Sequence, residues 1–318
     1  MSLLSRGLFS SDILGTEDDD VNFGATNPDG MLRSYSEYLQ KIHPENAKRF
    51  DQLRISDREA AIAEAIVLGI LQGFNVDPQI HDQPNSGGPD YICCAYPGPL
   101  APRRLDDRFV VEATSLDPDA VTDRSHIANE VPEDLSGGAF GLVTRNICNK
   151  AKAKATQLAN YPMPRVLAIV SSHAGVAALF NNATAKWALV SEPHWRHEIG
   201  SDTVDTAEYT DLESSLFIRP GPDGTIVPCR QSISAILLVA VYGGQSEIWG
   251  ILHPEAARPF NYAFLPNLPF VRIAEWPVRN GKILTEWVIA DPHGYTASQF
   301  PIQLPRPPRK SAAAPSTT

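Results

Sequence analysis

The sequence predicts an α/β fold in which a mixed central sheet is flanked by helices and followed by a β-rich C-terminal extension. Two β-type runs at residues 91–96 and 109–116 are separated by a stretch rich in Pro, Gly and Arg, which is typical of a hairpin with a long loop. The apolar run at residues 166–170 predicts a strand buried on both faces. Helical patterns before and after the hairpin indicate a sheet covered by helices.

The first helix is predicted over residues 56–73. Ser56 is expected to be its N-cap, because Glu59 three residues later completes a capping box. Apolar residues then recur at spacings of three and four, which is the period of a helix. Gly73 is expected to end it. A second helix is predicted at residues 141–161, stopped by Pro162.

Four segments are predicted along the chain. Acidic and Gly/Asn-containing residues 1–30 are expected to form a disordered arm, and Pro-rich residues 305–318 a disordered tail. Between them lie an α/β core at 31–190 and a β-rich extension at 191–304 that packs on the core. Strands in the extension are predicted at residues 215–220, 233–242, 247–254 and 282–291.

The charge and cysteine content limit the class of protein. A net charge of −10 and a pI of about 5.3 argue against a protein that coats nucleic acid through bulk charge, although a local basic groove stays possible. Four cysteines without a CxxC pair are expected to be buried thiols in a reducing compartment. No apolar run is long enough to span a bilayer, so we expect a cytoplasmic protein with no membrane partner.

Two carboxylates near the ends of the hairpin strands predict a metal site. Asp90 enters the first strand and Glu112 lies deep in the second, where a lone carboxylate is costly. Carboxylates on paired strands can reach one ion, and Mg²⁺ prefers hard oxygen ligands. The alternatives are that Asp90 is a turn residue and that Glu112 forms a salt bridge to a nearby Lys.

The second helix adds a polar stripe to this candidate site. Lys150, Lys154, Gln157 and Tyr161 are spaced by four, three and four residues, so they lie on one side of the helix. An apolar stripe beside it would pack the helix on the sheet. Arg103 and Arg104, within the hairpin loop at residues 97–107, are candidate phosphate contacts.

These residues and their order resemble the PD-(D/E)XK nuclease superfamily, which has the restriction-endonuclease-like fold. The resemblance covers residues 56–172 and is carried by Pro89-Asp90, by Glu112-Ala113-Thr114 and by the following "KATQLANY" segment. Thr114 stands where the family's E-x-K motif has Lys. In some branches of the superfamily the Lys comes from the next helix, which makes Lys154 the candidate here and Lys150 the second choice.

The resemblance implies a function and a set of roles. It implies that the core at 31–190 is nuclease-like and that Asp90, Glu112 and the Ala113 carbonyl bind Mg²⁺, with Mn²⁺ as a substitute. Lys154 would assist the attacking water, and Gln157 and Tyr161 would support the Lys or the substrate. Glu64 is either a further ligand or a member of an ion pair at the edge of the core.

Nucleic acid, DNA by resemblance, is the expected partner of the site. The sequence does not decide between a monomer, a homodimer and a complex with a protein partner. A homodimer is considered because a nuclease that cuts both strands often dimerises. The alternative function is a catalytically inactive nuclease-fold protein that binds nucleic acid or acts as a scaffold, which the Thr114 departure favours. A further alternative is an interaction module built on aromatic residues of the extension at 191–304.

Overall fold

The described residues form one nine-stranded mixed sheet, covered by helices, together with two small two-stranded sheets. The predicted α/β class, with a mixed central sheet flanked by helices, is therefore confirmed. A computed structural model of the chain describes residues 28–74, 76–81, 88–95, 107–116, 122, 137–191, 193–197, 206–210, 212–242, 245–278, 283–290 and 296–298.

The helices with described bounds fall into two groups, before and after the hairpin. They are α1 (Pro28–Ile42), α2 (Pro44–Ser56), α3 (Arg58–Gly73), α4 (Gly137–Leu158), α5 (Ala174–Ala177) and α6 (Asn182–Val190). Short 3₁₀ turns occur at Leu212–Ser214, Pro222–Gly224 and Tyr262–Phe264. Residues 28–30 belong to α1, so the predicted disordered arm at 1–30 is wrong at its end, and its other residues lie outside the described part.

The strands of the main sheet run in the order β1-β2-β3-β4-β9-β10-β11-β12-β13. The strands are β1 (Gln79–Ile80), β2 (Tyr91–Cys94), β3 (Arg108–Ser115), β4 (Arg165–Ser171), β5 (Pro193–His197), β6 (Thr206–Thr210), β7 (Ile218–Pro220), β8 (Ile226–Pro228), β9 (Ala235–Tyr242), β10 (Gln245–Leu252), β11 (Phe270–Ile273), β12 (Thr285–Ala290) and β13 (Thr296–Ser298). The predicted hairpin is confirmed, because β2 and β3 pair antiparallel.

The N-cap of helix α3 lies one residue later than the sequence predicted. The Asp57 side chain accepts a hydrogen bond from the Ala60 N–H at 2.9 Å and is the N-cap. Ser56 is the last residue of α2, so its prediction as the cap is wrong. Ser and Asp both cap helices well, but Ser56 is already part of α2, so the cap of α3 falls to Asp57.

The core has two layers, one on each face of the sheet. Alternate residues of a strand point to opposite faces, and the pattern follows this rule. Val111 and Val166 pack with α1, α2 and α3, whereas Val110 and Leu167 pack with α4 and α6. Every residue of β4 is buried, as predicted from its apolar run.

After residue 191, strands β9 to β13 continue the core sheet instead of packing on it. β9 pairs with β4 in parallel, from Val166 opposite Ala235 to Ser171 opposite Ala240. β9 then pairs antiparallel with β10. The predicted boundary near residue 191 therefore does not divide the sheet, and the predicted extension supplies strands at its centre. Residues 299–304 and the predicted tail at 305–318 lie outside the described residues.

The structure also bears on the expectations for membrane-spanning helices and for the cysteines. None of the described helices combines the length and apolar character needed to cross a membrane. All four cysteines are free; Cys93, Cys94 and Cys148 are buried and Cys229 is partly exposed.

Candidate functional site

Asp90 and Glu112 face each other across the β2–β3 hairpin. Tyr91 lies opposite Val111, so the register extended by one residue places Asp90 opposite Glu112. Val110 and Leu116 donate their N–H groups toward the β4 side, at Pro164 and Val170, which means that even-numbered residues of β3 do not bond to β2. The two carboxylate residues therefore form a non-hydrogen-bonded pair, in which Cα atoms are about 4.5 Å apart and side chains come closest.

Glu112 is buried and held by two side chains of α4. Its side chain is 4% exposed, and the Lys154 ammonium donates to its Oε1 at 2.5 Å. The Gln157 amide donates to the same oxygen at 3.2 Å and to the Gly88 carbonyl at 3.0 Å. Lys154 also donates to Gln157 Oε1 at 3.2 Å. The predicted polar stripe of α4 thus reaches the predicted carboxylate.

The Asp90 carboxylate is tied to the next strand through the backbone. Its Oδ2 accepts a hydrogen bond from the Ala113 N–H at 2.7 Å. Burial raises the pKa of Asp90 well above its usual value, and the negative charges of Glu64 and Glu112 raise it further. The Ala113 hydrogen bond and the Arg49 charge oppose this change in pKa. A cation placed between the carboxylates would relieve this repulsion.

The Ala113 carbonyl faces the same side as the Asp90 carboxylate. In a β-strand the N–H and C=O of one residue point to the same neighbour, and the Ala113 N–H points to Asp90. The register places Pro89 opposite Ala113, and proline has no N–H to donate to this carbonyl. Pro89 therefore keeps a backbone oxygen of β3 from being used in the ladder at this position.

Glu64 forms an ion pair, one of its two predicted roles. Arg49 on α2 donates from Nη1 to Oε1 at 3.2 Å and from Nη2 to Oε2 at 2.8 Å. Within the described ranges, no group of three or more His, Cys, Asp or Glu side chains is placed to hold a metal ion. The geometry therefore does not support Glu64 as a direct ligand beside Asp90 and Glu112.

Tyr161 and His81 border the site. The Tyr161 ring packs edge to face against the His81 ring, with centroids 5.9 Å apart. A Cβ atom on Gly88 would lie 2.4 Å from the Tyr161 hydroxyl, so glycine permits this approach. Burial and the nearby Glu112 charge raise the pKa of Tyr161.

The other predicted residues lie at the margin of the site or outside the described residues. Lys150 is partly exposed on α4, one turn before Lys154. Thr114 is buried on β3, two residues beyond Glu112 and therefore on the same face. Arg103 and Arg104 lie outside the described residues.

Two residues at the site were not predicted from the sequence. Arg49 lies on α2, a helix that was not predicted from the sequence. Its contact with Glu64 shows that, of the two predicted roles of Glu64, the structure contains the ion pair. His81 follows β1, a strand of only two residues. Its position opposite Asp90 depends on strand register, and the short "QIH" run gives no signal of that register.

Comparison of the chain with models of protein families, with curated proteins and with solved structures finds no match. The function is therefore inferred from the residues and their geometry. The features that bear on it are the facing carboxylates, the Lys-Gln pair on α4 and the backbone carbonyl beside Pro89.

Proposed function

We propose that this protein is a Mg²⁺-dependent nuclease that hydrolyses phosphodiester bonds in DNA on a restriction-endonuclease-like core. The observation that carries the proposal is the placement of Asp90 opposite Glu112 with Lys154 bound to the latter. Separate elements supply the three groups, so their meeting is a property of the fold. The same mixed sheet and the order of elements from α3 to β4 support the proposed core.

The residues present fit a magnesium ion by their chemistry. Asp90, Glu112 and the Ala113 carbonyl would hold it, and all three offer the hard oxygen atoms that Mg²⁺ prefers. Mn²⁺ takes similar ligands and is the expected substitute. When bound, the ion supplies positive charge that stabilises the negative charge developing on the phosphodiester.

The chain's own side chains hold the carboxylates and orient water. An ammonium group has three N–H donors, and Lys154 uses two of them on Glu112 and Gln157. The third donor is suited to orient the attacking water beside Glu112. Gln157 fixes the same carboxylate to the Gly88 carbonyl, so the entry to β2 and the middle of β3 stay in register.

An inactive nuclease-fold protein is the competing function, and Thr114 is the observation that favours it. With Thr in place of the strand Lys, the Lys154–Glu112 contact could serve only to neutralise a buried carboxylate. Such a protein would bind nucleic acid or act as a scaffold without cleaving.

Cleavage of supercoiled plasmid and of single-stranded DNA in Mg²⁺ and in Mn²⁺ tests the proposal. We expect Glu112→Gln and Asp90→Asn each to lower the rate of DNA cleavage by about a hundredfold or more. Each change replaces a negatively charged carboxylate of the ion site by a neutral amide. Glu45→Gln is the matched control, because that carboxylate is 67% exposed on α2, and it should cleave like the wild type.

Each outcome has a defined meaning once circular dichroism shows that the variants are folded. Cleavage retained by Glu112→Gln or Asp90→Asn would overturn the assignment of the site. DNA binding without cleavage by the wild type in any divalent metal would favour the inactive scaffold.

A further inference from the structure

We infer that His81 is a substrate-binding residue of this site, whose imidazole N–H donates a hydrogen bond to a phosphate group of the nucleic acid. The inference rests on the proposed function, because it names a residue that acts on the same substrate. His81 has no part in the resemblance or in the polar stripe of α4. It is identified by strand register and by the charges around the carboxylates.

Strand register places His81 in one row with the two carboxylates. β1 pairs antiparallel with β2, and the His81 N–H donates to the Asp90 carbonyl at 2.8 Å. Asp90 in turn lies opposite Glu112 on β3. Residues directly opposite on antiparallel strands point to the same face, and neighbouring strands are about 4.8 Å apart. His81 is therefore at the outer end of a row of three, beside Asp90 and two strand spacings, about 10 Å, from the strand that carries Glu112.

Tyr161 fixes the face on which the imidazole lies. Its ring contacts His81 edge to face, at an interplanar angle of 85°. Tyr161 packs with the core layer formed by α4, the helix that supplies Lys154 and Gln157 to Glu112. The imidazole and the Lys154 amine thus lie on the same face of the sheet, on either side of Asp90.

The charged groups at the site leave a need for a hydrogen-bond donor such as the His81 imidazole. Lys154 is bound by Glu112 and Arg49 is bound by Glu64, so both cations are already engaged with carboxylates. In a protein of net charge −10, a phosphate beside these two ion pairs needs a further N–H donor to hold it. Across the described ranges, no carboxylate forms an ion pair with the partly exposed His81 ring, and an imidazole has an N–H to donate in either protonation state.

Paired substitutions separate a hydrogen bond to phosphate from ring packing on Tyr161. His81→Phe keeps an aromatic ring and removes the donor, whereas His81→Gln keeps an N–H donor and removes the ring. Gln79→Ala is the matched control, because Gln79 is exposed on the same strand and face, two residues earlier. The probe is a labelled 20-base-pair DNA duplex, with binding measured in Ca²⁺ and cleavage measured in Mg²⁺.

We expect His81→Phe to weaken duplex binding and raise KM by about tenfold, the loss of one hydrogen bond to a charged group. His81→Gln should bind within about threefold of the wild type, and Gln79→Ala should match it. The thermal midpoint of His81→Phe should equal that of the wild type, because the ring contact is kept.

Other outcomes would overturn the inference. If His81→Phe binds and cleaves like the wild type while Glu112→Gln is inactive, the inference fails and the proposed function stands. Failure of His81→Gln to restore binding, or a lowered thermal midpoint of His81→Phe, would assign His81 to packing instead. If the wild type neither binds nor cleaves the duplex or single-stranded DNA, both proposals fall.

Discussion

Glu112 is a carboxylate placed where burial should exclude one. Moving a lone carboxylate out of water costs several kcal/mol, so a nearly buried Glu needs a partner of opposite charge and hydrogen-bond donors. Lys154 and Gln157 supply both. The ion pair predicted as an alternative role for Glu112 and the predicted catalytic pairing with Lys154 are thus the same contact, and stability measurements can separate the two roles.

Removing the cation should leave Glu112 as an uncompensated buried charge. Lys154→Met is expected to lower the free energy of unfolding by about 1–3 kcal/mol, less than the loss of a fully buried pair, because Lys154 is 28% exposed. The double variant Glu112→Gln/Lys154→Met should recover part of this loss without regaining cleavage. Urea denaturation measures the stabilities.

Lys152→Met is the control for this series, since Lys152 is exposed on the same helix. Its free energy of unfolding should stay within about 0.5 kcal/mol of the wild type. If Lys154→Met were as stable as Lys152→Met, the Glu112–Lys154 contact would carry no stability and its role would be chemical alone.

His253 makes stability depend on pH. Its Nδ1 accepts from the Glu255 N–H and its Nε2 lies 2.9 Å from the Cys229 carbonyl, an arrangement that fits the neutral ring. Burial lowers the pKa of His253 from 6.5 to about 4. A lowered pKa means that the stabilising neutral form is fully present above pH 6.5 and that its contribution is lost as pH falls toward 4.

Because of His253, the free energy of unfolding should fall by about 2 kcal/mol when the pH is lowered from 7 to 5. In His253→Gln, which has no proton to gain, the loss over the same interval should be smaller by that amount. Urea denaturation of both proteins at the two pH values measures the difference. Equal losses in the two proteins would show that His253 titrates normally in the fold.

The sequence identified those site residues whose chemistry is local. Pro-Asp, a Glu inside an apolar run and a Lys-Gln pair at helical spacing are visible without a fold, and the structure brings Asp90, Glu112, Lys154 and Gln157 together. The pairing of Glu64 with Arg49 joins two different helices, so no spacing in the sequence encodes it.

At the scale of elements, the junction of α2 and α3 depends on a single side chain. Two helices meet with only Asp57 between them, and its carboxylate caps the second. Ser-Asp in sequence offers two capping residues side by side, and local pattern cannot choose between them. The choice follows from where α2 ends.

Substitution of the cap should distinguish the two residues. Asp57→Ala is expected to lower the free energy of unfolding by about 1 kcal/mol, because the Ala60 N–H loses its acceptor. Ser56→Ala, at an exposed position one residue earlier, should change stability by less than about 0.5 kcal/mol. Chemical denaturation measures both, and a larger effect at Ser56 would restore the cap predicted from sequence.

On the scale of the whole molecule, the main sheet keeps its strands in chain order but leaves out β5 to β8, so that β4 lies beside β9. Apolar runs predicted β4 and β9, because buried strands have a recognisable composition, and they also predicted the partly exposed strands β10 and β12. Which strands are neighbours is decided by long-range pairing. No local pattern in the sequence places β9 beside β4, so the change in pattern near residue 191 predicts a boundary that the sheet does not have.

A fragment of residues 28–191 should fail to fold on its own. It would expose one edge of β4, whose residues are all buried in the whole chain, and would lose the apolar partners that β9 supplies. We expect aggregation in size-exclusion chromatography and no cooperative thermal transition. Removal of residues 305–318 is the control and should leave a cooperative transition. A monomeric fragment that melts cooperatively would support the separate core predicted at 31–190.

The position of β9 between β4 and β10 also has a consequence for synthesis on the ribosome. β4 leaves the exit tunnel roughly 60 residues before β9, and at about 5–20 residues per second this interval lasts several seconds. For that time a nascent chain carries an apolar strand with an open hydrogen-bonding edge, which is a template for pairing with other chains. We therefore expect nascent chains to bind chaperones until β9 emerges, even if the finished protein is stable.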